Sequence, residues 1–425
     1  MIQSPETMTA VEAAAAIENG TLKCEALVRA CFDRIEAREG VINAWTVTDR
    51  ARAIATAREL DPGPRRGLLD GIPIGVKDII ATRDFPTSYG SKIYAGHRPP
   101  ADAGCVAILR AAGAILPGKT VTTEFAYFTP GPTANPRNPR HTPGGSSSGS
   151  AAAVADAMVP LALGTQTAGS VIRPASFCGI VGFKPTFGRI NMAGVKPFAP
   201  SLDTLGWMAR SVDDLELARA ALVGAPYRAP RWEGGRPRVG ICRTAEWDRA
   251  ESPARDALAA AIAAIEREAR VADAEFPSEG LVDAQKAVMT FESARSFADE
   301  HLTHRDSLSP ALRELIELGW RTPYADYVEA HRQADTARQR LREVFARHDV
   351  LLSPSAPGEA PAGLDATGDP VFNRIWTLLG VPCITLPAHA GPNGLPVGIQ
   401  LIGTWDRDRE LLGIAEWMAR LLRSA

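Results

Sequence analysis

The stretch from 144 to 170 constrains the fold more than any other part of the chain. It reads Gly144-Gly145-Ser146-Ser147-Ser148-Gly149-Ser150, then an alanine-rich run, then Gly164-Thr165-Gln166-Thr167-Ala168-Gly169-Ser170. The alanine run predicts a helix over 150–157, and the apolar run after it predicts a strand over 158–163. The same order recurs earlier. A helix over 102–112 stops at Gly113, and Ala114-Ile115-Leu116 is expected as the next strand. Upstream, residues 72–76 are short, apolar and β-branched, as in a buried strand. Helix and strand in alternation argue for an α/β fold, a sheet covered by helices.

Thr21 is expected to cap an N-terminal helix whose apolar face is Cys24, Leu27, Val28, Cys31, Phe32 and Ile35. Pro226, Pro230, Gly234, Gly235 and Pro237 mark the best linker candidate, followed by a strand at Val239-Gly240-Ile241-Cys242. A mainly helical section is expected over 252–347, with helix starts at Ser252-Pro253 and Ser309-Pro310. Strand-like runs return at 349–352 and 397–402, and an amphipathic helix over 407–423 closes the chain.

Composition excludes several classes. With 45% hydrophobic and 23% charged residues, the chain reads as an ordinary globule. A net charge of −2 gives no footprint for nucleic acid or an anionic membrane, so neither is expected as a partner. Cys24, Cys31, Cys105, Cys178, Cys242 and Cys383 lack CxxC spacing and read as free thiols. The N-terminus has no signal-like segment, and no apolar run reaches the roughly 18 residues a membrane span needs. The expected location is cytoplasmic.

Two motif matches fail on physical grounds. Residues 113–120 fit the P-loop spacing, but the variable positions are strand-like and Pro117 has no N–H for a phosphate. Gly145-Ser146-Ser147-Ser148-Gly149 fits the GxSxG nucleophile elbow, but a loop precedes it where that elbow needs a strand.

A serine nucleophile needs a base, and no histidine is convincingly placed. Lys77 is the candidate. Among Ile72, Ile74, Val76, Ile79 and Ile80, burial would lower its pKa and free the amine. The alternative is a lysine at a strand end that snorkels to solvent and pairs with Asp78. The Gly-Ser loop likewise has two readings, a flexible linker or a set of N–H groups aimed from a helix start.

At these residues the chain resembles a known family. The segments 144–150 and 164–174, with Cys178-Gly179-Ile180-Val181-Gly182-Phe183-Lys184-Pro185-Thr186, look like the amidase signature. Gly75-Val76-Lys77-Asp78, Gly118-Lys119-Thr120, Ser201-Leu202-Asp203-Thr204-Leu205-Gly206 and Gly394-Leu395-Pro396-Val397-Gly398-Ile399-Gln400 extend the likeness over most of the chain. The resemblance implies an amidase signature fold, a central mixed β-sheet covered on both faces by helices, as one domain over 1–425. Its sections would be an N-terminal helical segment over 1–68, a signature core over 69–224, a variable helical section over 240–347, and C-terminal core strands with a helix over 348–425.

It also implies a Ser–cis-Ser–Lys triad: Ser170 the nucleophile, Ser146 the relay with its preceding peptide bond cis, and Lys77 the base. The backbone N–H groups of Thr167, Ala168, Gly169 and Ser170 would form the oxyanion hole. No metal or other cofactor is implied. The activity implied is hydrolysis of the C–N bond of small amides, extending to esters, carbamates (urethanes) or anilides, and similar enzymes are often homodimers. An alternative is the glutaminase subunit of an RNA-dependent amidotransferase.

Departures from the common pattern bear on substrate. This chain has Gln166, Ala168 and Arg173 in Thr165-Gln166-Thr167-Ala168-Gly169-Ser170-Val171-Ile172-Arg173, which is similar to malonamidase and to carboxylated-urea hydrolases. By that likeness Arg173 binds a substrate carboxylate; otherwise it is structural and pairs with a protein acid. Phe291, Phe297, Trp320, Tyr324 and Tyr327 are expected either to line a pocket mouth or to sit in the core.

Overall fold

The computed structural model describes residues 4–424. Eleven strands form one mixed sheet flanked by helices: β1 (Trp45–Thr48), β2 (Ile74–Lys77), β3 (Gly118–Thr120), β4 (Leu161–Gln166), β5 (Val181–Lys184), β6 (Thr204–Ala209), β7 (Arg238–Ile241), β8 (Arg270–Asp273), β9 (Val350–Pro354), β10 (Cys383–Ala390) and β11 (Pro396–Ile402). Their order is β1-β3-β2-β4-β6-β5-β10-β11-β9-β7-β8. β2 runs parallel to β3 and β4, and β7 runs parallel to β8 and β9. The other neighbours are antiparallel.

β4 and β6 are buried at every position, which is why they carry continuous small and apolar runs instead of an alternation. Their register pairs Gly164 with Gly206. A Cβ on Gly206 would meet Val171 at 2.8 Å, and one on Gly182 of β5 would meet Ala175 at 2.6 Å. These small residues open a trough in the sheet, and the segment leading into the helix Ile172–Cys178 lies in it.

The N-terminal helix, Cys24–Ile42, buries the expected face. Its cap is not Thr21, whose hydroxyl bonds to Asn19 Oδ1 and the Ala16 carbonyl. The carboxylate of Asp61 accepts from the N–H groups of Cys24 at 2.7 Å and Glu25 at 3.3 Å, so the cap comes from a later turn of chain. Ala114-Ile115-Leu116 is not a strand. Ile115 makes one isolated bridge to Pro73, and the pairing starts past Pro117, at Gly118. The section 252–347 is helical as expected, except for β8, an edge strand whose exposed residues carry no apolar alternation. The closing helix is Asp408–Ser424. No described helix is long and apolar enough to cross a membrane.

Candidate active site

β2 and β4 are parallel neighbours, with Val76 opposite Leu163. Both therefore end at the same rim of the sheet, where open α/β sheets place their ligands. Lys77 is the last residue of β2 and is fully buried. Its Nζ lies 2.8 Å from Ser146 Oγ and 2.8 Å from Thr165 Oγ1. Burial pushes its pKa down from 10.5 to about 7, against the opposing charge of Asp203. The alternative partner is taken, since Asp78 pairs with the buried Lys119 at 3.0 Å and accepts from Ser88. That contact also accounts for the P-loop-like spacing, because Lys119 is a strand residue turned to Asp78.

The glycine-serine loop is buried, not a linker. Gly144 has φ +81°, a conformation that favours glycine, and the Gly145–Ser146 peptide bond is cis. Neighbouring serines are tied elsewhere. Ser147 Oγ donates to the Thr165 carbonyl, Ser148 Oγ to that of Val121 and Ser150 Oγ to that of Leu163. Only Ser146 reaches the lysine.

β4 leads into the turn 167–170 and then the helix Ile172–Cys178. Gln166 holds this junction. Its Oε1 accepts from Val171 N at 3.0 Å and Ile172 N at 3.1 Å, satisfying amides at the helix start. Gly169 is in close contact with the helix Val371–Leu379; a Cβ there would collide with Asn373 Oδ1. The N–H groups of Ala168, Gly169 and Ser170 find no acceptor among the described residues. Thr167 Oγ1 donates to Asp203, whose carboxyl is pushed up to about 6 by burial.

Ser170 and Ser146 line one narrow cleft, together with Arg173, Tyr127, Phe128, Phe198 and Met289. The Ser170 hydroxyl has no hydrogen-bond partner among the described residues. Arg173 is 2% exposed. Its Nη2 donates to the Gly145 carbonyl at 2.6 Å and to Thr367 Oγ1 at 3.2 Å, while Nε and Nη1 have no partner. No described carboxylate lies within ion-pair distance of it, and the contacts it does make hold the Gly145 carbonyl and Thr367. Burial lowers its pKa to about 9, with the charge of Arg374 acting the same way and that of Asp369 opposing.

The five aromatic residues of the helical section do not line the cleft. Phe297 packs on Phe125 and Phe198, Phe291 stacks on Tyr327 at 4.3 Å, and Trp320 and Tyr324 are exposed. The aromatic wall comes instead from Tyr127, Phe128 and Phe198 in loops that carry no periodic signal. Gln285 also escapes sequence reasoning, yet it joins Arg374 and Thr377 in leading to the turn 167–170. Among the described residues no group of three or more His, Cys, Asp or Glu side chains could hold a metal ion.

The amidase family profile matches residues 26–412. A glutamyl-tRNA(Gln) amidotransferase subunit from Natranaerobius thermophilus is 31% identical over 98% of this chain and 96% of its own. The crystal structure of an amidase superposes with a TM-score of 0.89 at 31% identity, covering 97% of this chain and 99% of its own. A chain from a vestigial protein complex tied to the origins of an s-triazine catabolic enzyme gives 0.88 at 29% identity, covering 98% of both. The first relative overturns the expectation that nucleic acid is no partner, since it is named for a transfer RNA. Net charge averages over the whole surface and does not exclude a local contact.

Proposed function

The chain belongs to the amidase family, and from that premise we propose that it hydrolyses the C–N bond of a small amide bearing a carboxylate, through an acyl-enzyme on Ser170. One observation carries the substrate class. Arg173 is buried in the wall of the cleft that holds Ser146 and Ser170, two of its nitrogens are unpartnered, and no described carboxylate lies within ion-pair distance of it. A buried unpaired cation is costly, and a substrate carboxylate would relieve that cost with a charge-assisted hydrogen bond.

Ser170 Oγ attacks the carbonyl carbon while its proton passes to Ser146 and the proton of Ser146 to Lys77. The backbone N–H groups of Thr167, Ala168, Gly169 and Ser170 take the charge on the oxygen. The C–N bond breaks as nitrogen receives a proton back along the relay, and the amine or ammonia leaves. Water then attacks the acyl-enzyme by the same path and releases the acid. The lowered pKa of Lys77 supports this, because a base must be neutral to accept the proton. Esters and carbamates offer Ser170 the same carbonyl and fall within its chemical reach.

A second reading has the protein act as the glutaminase subunit of an RNA-dependent amidotransferase. The Natranaerobius relative favours it, matching nearly all of both chains, and the curated relatives support it better than they support a stand-alone hydrolase. Glutamine is itself a primary amide bearing a carboxylate, so Arg173 suits it too.

The test is kcat/KM of the purified chain for malonamate, succinamate, L-glutamine, a neutral aliphatic amide, an anilide and an aryl carbamate. Carboxylate-bearing amides should lead, and Arg173→Ala should cost them about 30- to 1,000-fold while sparing neutral amides. Equal loss for neutral and anionic amides would sink the carboxylate role. Glutamine hydrolysis that appears only with added amidotransferase subunits would decide for the second reading.

A further inference from the structure

Two of the proposed oxyanion donors sit in peptide planes whose carbonyls are hydrogen-bonded from behind. A peptide plane holds the carbonyl of one residue and the N–H of the next. The Thr167 carbonyl, in the plane of the Ala168 N–H, accepts from Gln285 Nε2 at 3.0 Å. Gln285 Oε1 in turn accepts from Arg374 Nη1 at 2.5 Å. The Ala168 carbonyl, in the plane of the Gly169 N–H, accepts from Thr377 Oγ1 at 2.8 Å, and Gln166 Nε2 lies 3.0 Å from that hydroxyl. Gln285 and Gln166 are fully buried, Thr377 is 1% exposed and Arg374 6%.

We propose that Gln285, Arg374 and Thr377 are positioning residues for the oxyanion hole, fixing two adjacent peptide planes and polarising the N–H groups of Ala168 and Gly169. The inference rests on the acyl-enzyme reading above and deepens it. A hydrogen bond to a carbonyl draws electron density toward its oxygen and makes the N–H of the same plane a stronger donor. In a buried chain such bonds reinforce one another. The first chain begins at a cation. Arg374 has no described carboxylate within ion-pair distance, and its Nη1 donates to Gln285. Gln285 lies on the helix Leu281–Ser296 and Arg374 and Thr377 on Val371–Leu379, so two distant segments converge on one turn.

The variants separate this role from substrate contact. Gln285→Glu still accepts from Arg374 but has no N–H for the Thr167 carbonyl. Thr377→Val removes the second chain independently, and Arg374→Lys keeps the charge that Arg374→Met deletes. Each is assayed with succinamate as substrate, succinic semialdehyde as an aldehyde that forms an oxyanion on Ser170, and succinate as the product. Gln285→Glu and Thr377→Val should each lower kcat by roughly 10- to 100-fold with KM within about twofold. Affinity for the semialdehyde should fall in the same proportion and affinity for succinate should hold, with Arg374→Lys recovering part of what Arg374→Met loses. Wild-type kcat in both Gln285→Glu and Thr377→Val, or a loss carried by KM and succinate affinity, overturns the proposal. If Gln285→Glu does not fold, Thr377→Val decides alone. A Ser170→Ala variant that keeps full activity would instead overturn the acyl-enzyme reading, whatever Gln285 does.

Discussion

Lys77 makes the sharpest prediction because its burial and its proposed role are tied to one number. Lowering its pKa from 10.5 to about 7 corresponds to about 5 kcal/mol of preference for the neutral amine. At pH 7 roughly half the amine is then neutral, against about one part in three thousand at the ordinary value. The kcat/KM profile between pH 5 and 9.5 should therefore rise with unit slope, bend near pH 7 and level above it, since this ratio reports the free enzyme. Lys77→Ala should lower kcat by roughly 10²- to 10⁴-fold and abolish the bend. Lys77→Arg, a cation that does not deprotonate, should be as inactive as Lys77→Ala. Stability gives an independent reading. Between about pH 7 and 10.5 the unfolded chain holds a proton on Lys77 that the folded chain has lost, so this residue's contribution to stability rises with pH across that window. Lys77→Met should remove that slope in urea unfolding. A flat rate profile, a bend near pH 10, or wild-type activity in Lys77→Arg would refute the reasoning.

Other substitutions test the frame around the site. Gly149→Ala would drive a Cβ into the Ala44 carbonyl and Val121 N, and thermal unfolding should show a loss of at least about 1–3 kcal/mol. Asp61→Ala removes the cap of the Cys24–Ile42 helix and should cost about 1 kcal/mol in urea unfolding, with kcat unchanged. Asp78→Ala leaves Lys119 buried without its carboxylate and should cost about 3–5 kcal/mol, whereas the Asp78→Ala/Lys119→Met double variant should recover much of it.

Much of the frame was legible because each signal was local. The helix face from Cys24 to Ile35, the strand at β2 and the helix-then-strand order around Ser146 all follow from periodicity within a dozen residues. What failed was non-local. The cap on Cys24 comes from Asp61, and β8 is an exposed edge strand with no apolar pattern. The cleft's aromatic wall is assembled from Tyr127, Phe128 and Phe198, none of which a helical period could single out.

The sequence alone determined the α/β class, the family and the residue types the chemistry needs, because glycine-bracketed serines and a lysine in an apolar run are local features. Tertiary structure decided that Lys77 is buried against Ser146, that Asp78 is engaged by Lys119, and that no described carboxylate lies within ion-pair distance of Arg173. It also decided that Gln285 and Arg374 converge behind the turn 167–170. Burial and partnership depend on what folds against a residue, and those neighbours lie tens to hundreds of positions away, where no local pattern can encode them.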